Sequence, residues 1–165
     1  MDLLVIRHAI AVERDEWSGD DDLRPLTDEG VSKMRKGAQG LAVQVKSVDV
    51  LATSPLVRAR KTAEIVARAF EHEGELEEVD ALRPDQRPEA FVEWVERHAE
   101  NGVVAIVGHE PHLSTLVSWL LTGKSESRLD LKKGGACLVR FEEAPKAGRG
   151  QLLWLLTPNQ LRALA

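Results

Sequence analysis

Cysteine is almost absent: Cys137 is the only one, which excludes an internal disulfide and suits a reducing compartment. Long apolar runs are absent too. The N-terminal stretch Leu3 to Ile6 is four residues long and has no basic leader before it, so it reads as neither a signal peptide nor a membrane span. The cytoplasm is the expected location. Positive charge is in deficit, 22 Lys and Arg against 27 Asp and Glu for a net charge of -5, which argues against nucleic acid or an anionic membrane as partners. Any anion site must then be built from a few placed cations. Repeats and linkers are lacking as well. What remains is 165 residues, 43% hydrophobic and 30% charged, enough for one domain over residues 1–165 that buries roughly two thirds of its unfolded surface.

The pattern alternates strands with helices. Leu3 to Ile6 reads as a central strand ending abruptly at Arg7-His8, as a strand buried on both faces ends at a sheet edge. Asp28 and Glu29 favour a helix start after Thr27, and Val31, Met34, Ala38, Leu41 and Val45 give that helix one apolar face. Val48 to Thr53 reads as a second strand, after which Ser54-Pro55 fits an N-cap with proline at the first helical position, leading a helix to Phe70. A third helix is expected from Pro88 to about Ala99, with Phe91, Val92 and Val95 inward. Val103 to Val107 is the most strand-like run, and Gly108-His109-Glu110-Pro111 passes directly into a helix carrying Leu113, Leu116, Val117, Leu120 and Leu121. Ala136 to Phe141 and Leu152 to Leu156 suggest a terminal hairpin. The expected fold is an α/β three-layer sandwich, its central sheet mostly parallel with an antiparallel strand added.

Arg7-His8 follows the first strand, Arg58 lies in the first turn of the helix after the second, and His109 follows the Val103 strand. Ligands of open α/β sheets bind at the carboxyl edge of the strands, so these side chains are candidates to meet. Guanidinium groups and helix N-termini suit phosphoryl oxygens, and a neutral imidazole can attack phosphorus without first losing a proton.

These residues carry a resemblance. Ile6-Arg7-His8-Ala9 resembles the Arg-His-Gly signature of the histidine phosphatase superfamily, whose phosphoglycerate mutase-like fold is the sandwich expected above. Arg24-Pro25-Leu26-Thr27-x-x-Gly30 resembles the start of its first helix, and Thr53-Ser54-Pro55-Leu56-x-Arg58-Ala59-x-x-Thr62-Ala63 resembles its second arginine motif. Val107-Gly108-His109-Glu110-Pro111 completes the set. Within the superfamily, the short chain, the Arg-Pro-Leu-Thr segment and the Trp154-x-Leu156-x-Pro158 ending are similar to SixA-type phosphohistidine phosphatases, whose open site admits a protein.

The resemblance implies that His8 is the nucleophile and that Arg7, Arg58 and His109 hold phosphoryl oxygens. Glu110 is a candidate proton donor, or else a first-turn acid favoured by the helix dipole. No cofactor or metal is implied. The expected substrate is phosphohistidine on a protein; the alternatives are a small phosphate ester, or a non-catalytic phosphate-binding module. Ala9 in place of the signature glycine would be strained if that position needs a positive φ, but it is expected to be tolerated, because the backbone carbonyl that would orient the imidazole remains available.

Other features carry plainer readings. His109 and His112, three apart, lack the further ligands a metal needs. His72 and His98 read as solvated, Asp20-Asp21-Asp22 as a solvated loop with Arg24 within reach of the site mouth, and Gly134-Gly135 as a turn before a strand. Gly123-Lys124-Ser125 reads as a helix C-terminus. Cys137 reads as core, being too near Arg140 for a Cys-x5-Arg phosphatase motif.

Overall fold

A computed structural model describes residues 1–165. The strands are β1 (Asp2–Arg7), β2 (Val50–Thr53), β3 (Leu76–Glu78), β4 (Val103–Gly108), β5 (Ala136–Arg140) and β6 (Gln151–Leu156), and the helices α1 (Asp28–Gln44), α2 (Val57–Ala69), α3 (Pro88–Glu96), α4 (His112–Thr122) and α5 (Pro158–Leu164). They form one six-stranded sheet in the order β3-β2-β4-β1-β5-β6. The first four of these are mutually parallel, while β5 runs antiparallel to both β1 and β6.

The sheet separates two cores. Side chains alternate along a strand, so Leu3 and Val5 of β1 and Val104 and Ile106 of β4 face α3 and α4 with Phe91, Leu113 and Leu116. Leu4, Ile6, Ala105 and Val107 face α1, α2 and α5 with Met34, Leu41, Ala63 and Leu161. Strands covered on both sides need continuous apolar runs, and each fully buried Leu or Ile contributes roughly 2 kcal/mol.

Local signals set the helix ends. Thr27 caps α1, its side chain accepting from the Gly30 N–H at 2.9 Å. Gly30 is required by space: a Cβ there would lie 2.0 Å from the Ile10 carbonyl oxygen, where the segment after His8 crosses α1.

Two expectations need correction, and one strand was not anticipated. Helix α2 starts at Val57, with Leu56 at its N-cap and no side-chain cap; Ser54 stands two residues before the N-cap, where its hydroxyl oxygen lies 2.9 Å from His109 Nε2 and accepts only a long contact, 3.4 Å, from the Leu56 N–H. The chain does not end on the hairpin, because α5 follows β6, opened by a capping box between Thr157 and Gln160. Between Glu71 and Glu78 lies β3, a three-residue edge strand. Its charge is typical of a protected edge and hides it from an apolar-run criterion.

Candidate active site

The register of the sheet assembles the site. Arg7 of β1 sits opposite Gly108 of β4, so the next residue of each strand, His8 and His109, emerges at the same edge with ring centroids 5.0 Å apart. Thr53 of β2 pairs with Val107, which brings Ser54 beside His109 and places Arg58 in the first turn of α2 over the same edge. The turn at Gly134-Gly135 closes the other flank: the Gly134 N–H donates to the Arg7 and His8 carbonyls, and the Gly135 carbonyl accepts from the Arg7 N–H. That turn is therefore part of the frame of the site as well as the entry to β5.

His8 has a defined tautomer. Its Nδ1 lies 2.7 Å from the Ala9 carbonyl oxygen, which can only accept, so Nδ1 carries the proton and Nε2 keeps its lone pair. Burial pushes the His8 pKa down to about 3, reinforced by the positive charges of Arg58, Arg7 and Lys133 and only partly opposed by the Ala9 carbonyl. The ring is neutral at any physiological pH. Burial likewise lowers His109 to about 2, with His8 and Arg58 adding to the effect.

The two arginines are fixed by protein acceptors at their tips. Arg7 Nη1 donates to the Leu131 carbonyl at 2.7 Å. Arg58, only 4% exposed, donates from Nη1 to the Asp21 carbonyl at 2.7 Å and from Nη2 to Asp21 Oδ2 at 3.0 Å. Yet Arg7 Nε, Arg58 Nε and His109 Nδ1 are all buried without a hydrogen-bond partner. Buried polar atoms without partners are costly and uncommon. The two guanidinium N–H groups are donors, and His109 Nδ1 is a third in the tautomer in which the Ser54 hydroxyl donates to Nε2, an arrangement suited to a tetrahedral oxyanion.

The surrounding cavity, about 270 Å³, has no hydrophobic lining residue; Arg7, Arg14, Arg24, Arg58 and Lys133 line it together with Glu13, Asp21 and Glu110. Its cations outnumber its carboxylates, the reverse of the whole chain. Glu110 accepts from the Ser114 N–H at 3.1 Å and lies 2.5 Å from the Ser114 hydroxyl. Burial raises its pKa, against the hydrogen bonds of Ser114 and the charge of Arg7.

The geometry and the family signature coincide. The model of the histidine phosphatase superfamily (branch 1) matches residues 3–84, the stretch that holds Arg7, His8 and Arg58. The chain belongs to the histidine phosphatase superfamily. An uncharacterised protein of Picosynechococcus sp. is 36% identical over 160 residues, covering 95% of this chain and 96% of that one. Among solved structures, the fold is similar to the protein histidine phosphatase SixA complexed with tungstate, with a TM-score of 0.85 at 24% identity over 98% of this chain and 99% of that one. It is also similar to an alpha-ribazole phosphatase from Shigella flexneri, at a TM-score of 0.70, 18% identity and coverage of 96% and 97%. A phosphoserine phosphatase from Entamoeba histolytica gives a TM-score of 0.67, 19% identity and coverage of 97% and 98%.

Where the superfamily signature has glycine, Ala9 fits without strain, since Glu71 is the only non-glycine residue with a positive φ. Its N–H donates to Thr62 Oγ1 at 3.0 Å, and that hydroxyl donates to the Arg58 carbonyl at 2.7 Å. Thr62 thus ties the His8 and Arg58 motifs together.

Asp21 corrects the reading of the acidic run as a solvated loop. It receives Arg58, and its Oδ1 receives Arg24 Nε at 2.8 Å, with Arg14 at 3.3 Å. Partial burial pushes its pKa up, but the Arg24 hydrogen bond and the charges of Arg58, Arg24 and Arg14 outweigh that and hold the carboxyl below its usual range. The i, i+3 spacing of Asp21 and Arg24 was the signal for it. Asp22 also pairs with Arg83 at 2.8 Å. Neither His72 nor His98 is simply solvated: His72 Nδ1 lies 3.0 Å from the Val48 carbonyl, and His98 packs on Trp94. Cys137 is buried core, its pKa pushed up to about 12 by burial and then by Glu110.

Proposed function

We propose that the chain is a phosphatase working through a covalent phosphohistidine on His8, with phosphohistidine on a protein as its substrate in a cytoplasmic setting. One observation carries the reading: the free Nε2 lone pair of His8 shares a cavity with Arg7, Arg58 and His109, each of which has a buried ring or guanidinium nitrogen that no protein group satisfies. His8 Nε2 attacks phosphorus and the bond to the leaving group breaks, with Arg7, Arg58 and His109 donating to the phosphoryl oxygens as charge shifts onto them. The Glu110 carboxyl protonates the leaving atom. Water then attacks the phosphorus, the P–Nε2 bond breaks, and Glu110 recovers a proton from that water. Each donor aimed at the transition state is worth about 3 kcal/mol, on the order of a hundredfold in rate.

The likeness to SixA, whose structure holds the tetrahedral oxyanion tungstate, supports the protein substrate, as does a cavity lined by polar side chains except at Pro84. A second reading, a small phosphate monoester, draws on Glu110: an alkoxide needs a proton donor more than imidazole does. The alpha-ribazole and phosphoserine phosphatases show that the fold also serves such esters.

The test is direct. The purified protein is assayed side by side on a phosphohistidine-bearing carrier protein and a panel of monoesters, with acid-labile phosphate sought on the enzyme. His8→Ala should abolish turnover and the labile phosphate while retaining affinity for inorganic phosphate. Turnover surviving in that variant ends the covalent mechanism, and cleavage of monoesters alone ends the protein-substrate reading. A wild-type protein that binds phosphate and turns over nothing is a binding module.

A further inference from the structure

The Ser114 hydroxyl touches two acceptors. Its Oγ lies 2.5 Å from Glu110 Oε2 and 3.0 Å from the Pro111 carbonyl oxygen, yet a serine has one hydroxyl proton to donate. If Glu110 is ionised, that proton goes to Oε2, and the Pro111 carbonyl keeps the Thr115 N–H at 3.1 Å. If Glu110 is protonated, its own O–H donates to Oγ, and the hydroxyl turns to Pro111. The Ser114 N–H holds Oε1 at 3.1 Å in either case. Both charge states of the carboxyl are therefore fully hydrogen-bonded with no movement of heavy atoms. Ser114 is only 4% exposed, which limits replacement of its hydroxyl by water.

We propose that Ser114 is a positioning residue for the proposed reaction: its N–H holds the Glu110 carboxyl, its Oγ accepts the carboxyl proton at rest, and when that O–H turns to the leaving atom and transfers its proton the serine hydroxyl rotates to donate to Oε2 of the carboxylate that forms. The proposal rests on the reading of Glu110 as proton donor. A general acid must exist in both forms during turnover, and a partner able only to donate, such as Arg or a backbone N–H, would favour the ionised one. The charged and titratable groups around Glu110 are Arg7 from the end of β1, Asp130 from the loop before β5, Cys137 on β5, and His8 and His109 across the cavity. Burial raises the carboxyl pKa and the Ser114 hydrogen bonds lower it. The competing account is that Glu110 only caps α4, in which case loss of the hydroxyl affects folding and not the pH profile.

The test compares Ser114→Ala, Ser114→Cys, Ser114→Thr and Glu110→Gln on an alkyl phosphate, a poor leaving group, and on p-nitrophenyl phosphate, a good one. Glu110→Gln should slow the alkyl ester strongly and the nitrophenyl ester little. Ser114→Ala should lower kcat on the alkyl ester about tenfold, with KM within about twofold. The basic limb of its kcat/KM profile should move to higher pH, because a bond that favours the ionised carboxylate is gone. Ser114→Cys, of similar size but a weak donor, should follow alanine, and Ser114→Thr should restore rate and profile. A slow Glu110→Gln combined with alanine and cysteine profiles that superimpose on wild type overturns the role of Ser114 and leaves the proton-donor reading standing. A Glu110→Gln variant as fast as wild type on the alkyl ester overturns both.

Discussion

His112 opens α4 with both ring nitrogens buried and unpartnered, and is 2% exposed. Burial pushes its pKa down to about 4 from an ordinary 6.5, opposed only by Asp85. The folded protein keeps this ring neutral down to that value, whereas the unfolded chain takes up a proton near pH 6.5. Between those pH values the unfolded state binds more protons, so stability falls as the pH is lowered, by about 1.4 kcal/mol per unit. The His112 contribution is complete above pH 6.5 and has fallen by about 3 kcal/mol once the pH is below 4. A ring with no hydrogen bonds also costs about 1 kcal/mol relative to an apolar side chain of similar size. His112→Leu should therefore be about 1 kcal/mol more stable than wild type at pH 7.5, and the gap should widen by roughly 2 to 3 kcal/mol at pH 4.5. The depressed His8 and His109 remain in both proteins and largely cancel in the difference. Urea unfolding of the two proteins at several pH values between 7.5 and 4.5 measures this. A stability difference that stays constant over that range refutes the reasoning.

Three further outcomes are expected. Asp21→Ala removes the carboxylate that receives Arg58 Nη2 and Arg24 Nε while leaving the backbone carbonyl to Arg58 Nη1, and should lower kcat/KM on the order of tenfold; steady-state rates equal to wild type would show that the carboxylate is not needed to hold Arg58. Because His8 is already neutral above about pH 3, kcat/KM corrected for substrate ionisation should show no acid limb near 6.5, and a limb there assigned to His8 by NMR titration would contradict the burial argument. At Gly40, a Cβ would lie 1.9 Å from the Leu161 carbonyl oxygen, so Gly40→Ala should cost about 2 to 3 kcal/mol in urea unfolding by forcing α5 off α1, with an unchanged midpoint as the contrary result.

Arg7, His8, Arg58 and His109 were legible as candidates because Arg7 ends a strand, His8 and His109 each stand one step past one, and Arg58 lies in the first turn of a helix, where apolar periodicity stops and sheet edges lie. The long elements were legible for the same reason: β1 and β4 are buried on both faces and must be continuously apolar, and α1 and α2 are buried on one. Short or charged elements escaped that criterion. Edge strand β3 is half exposed and acidic, and α5 is announced only by its Thr157-Pro158-x-Gln160 start.

The sequence by itself determined which elements form and which side chains stand at their ends, since burial pattern and turn chemistry are local properties of the chain. Only the tertiary structure decided that Asp21 grips Arg58 from 37 residues away, that Ser54 meets His109, and that Ala9 is unstrained. Those outcomes depend on sheet register and on which buried polar atoms find partners, and both are settled between segments distant in sequence.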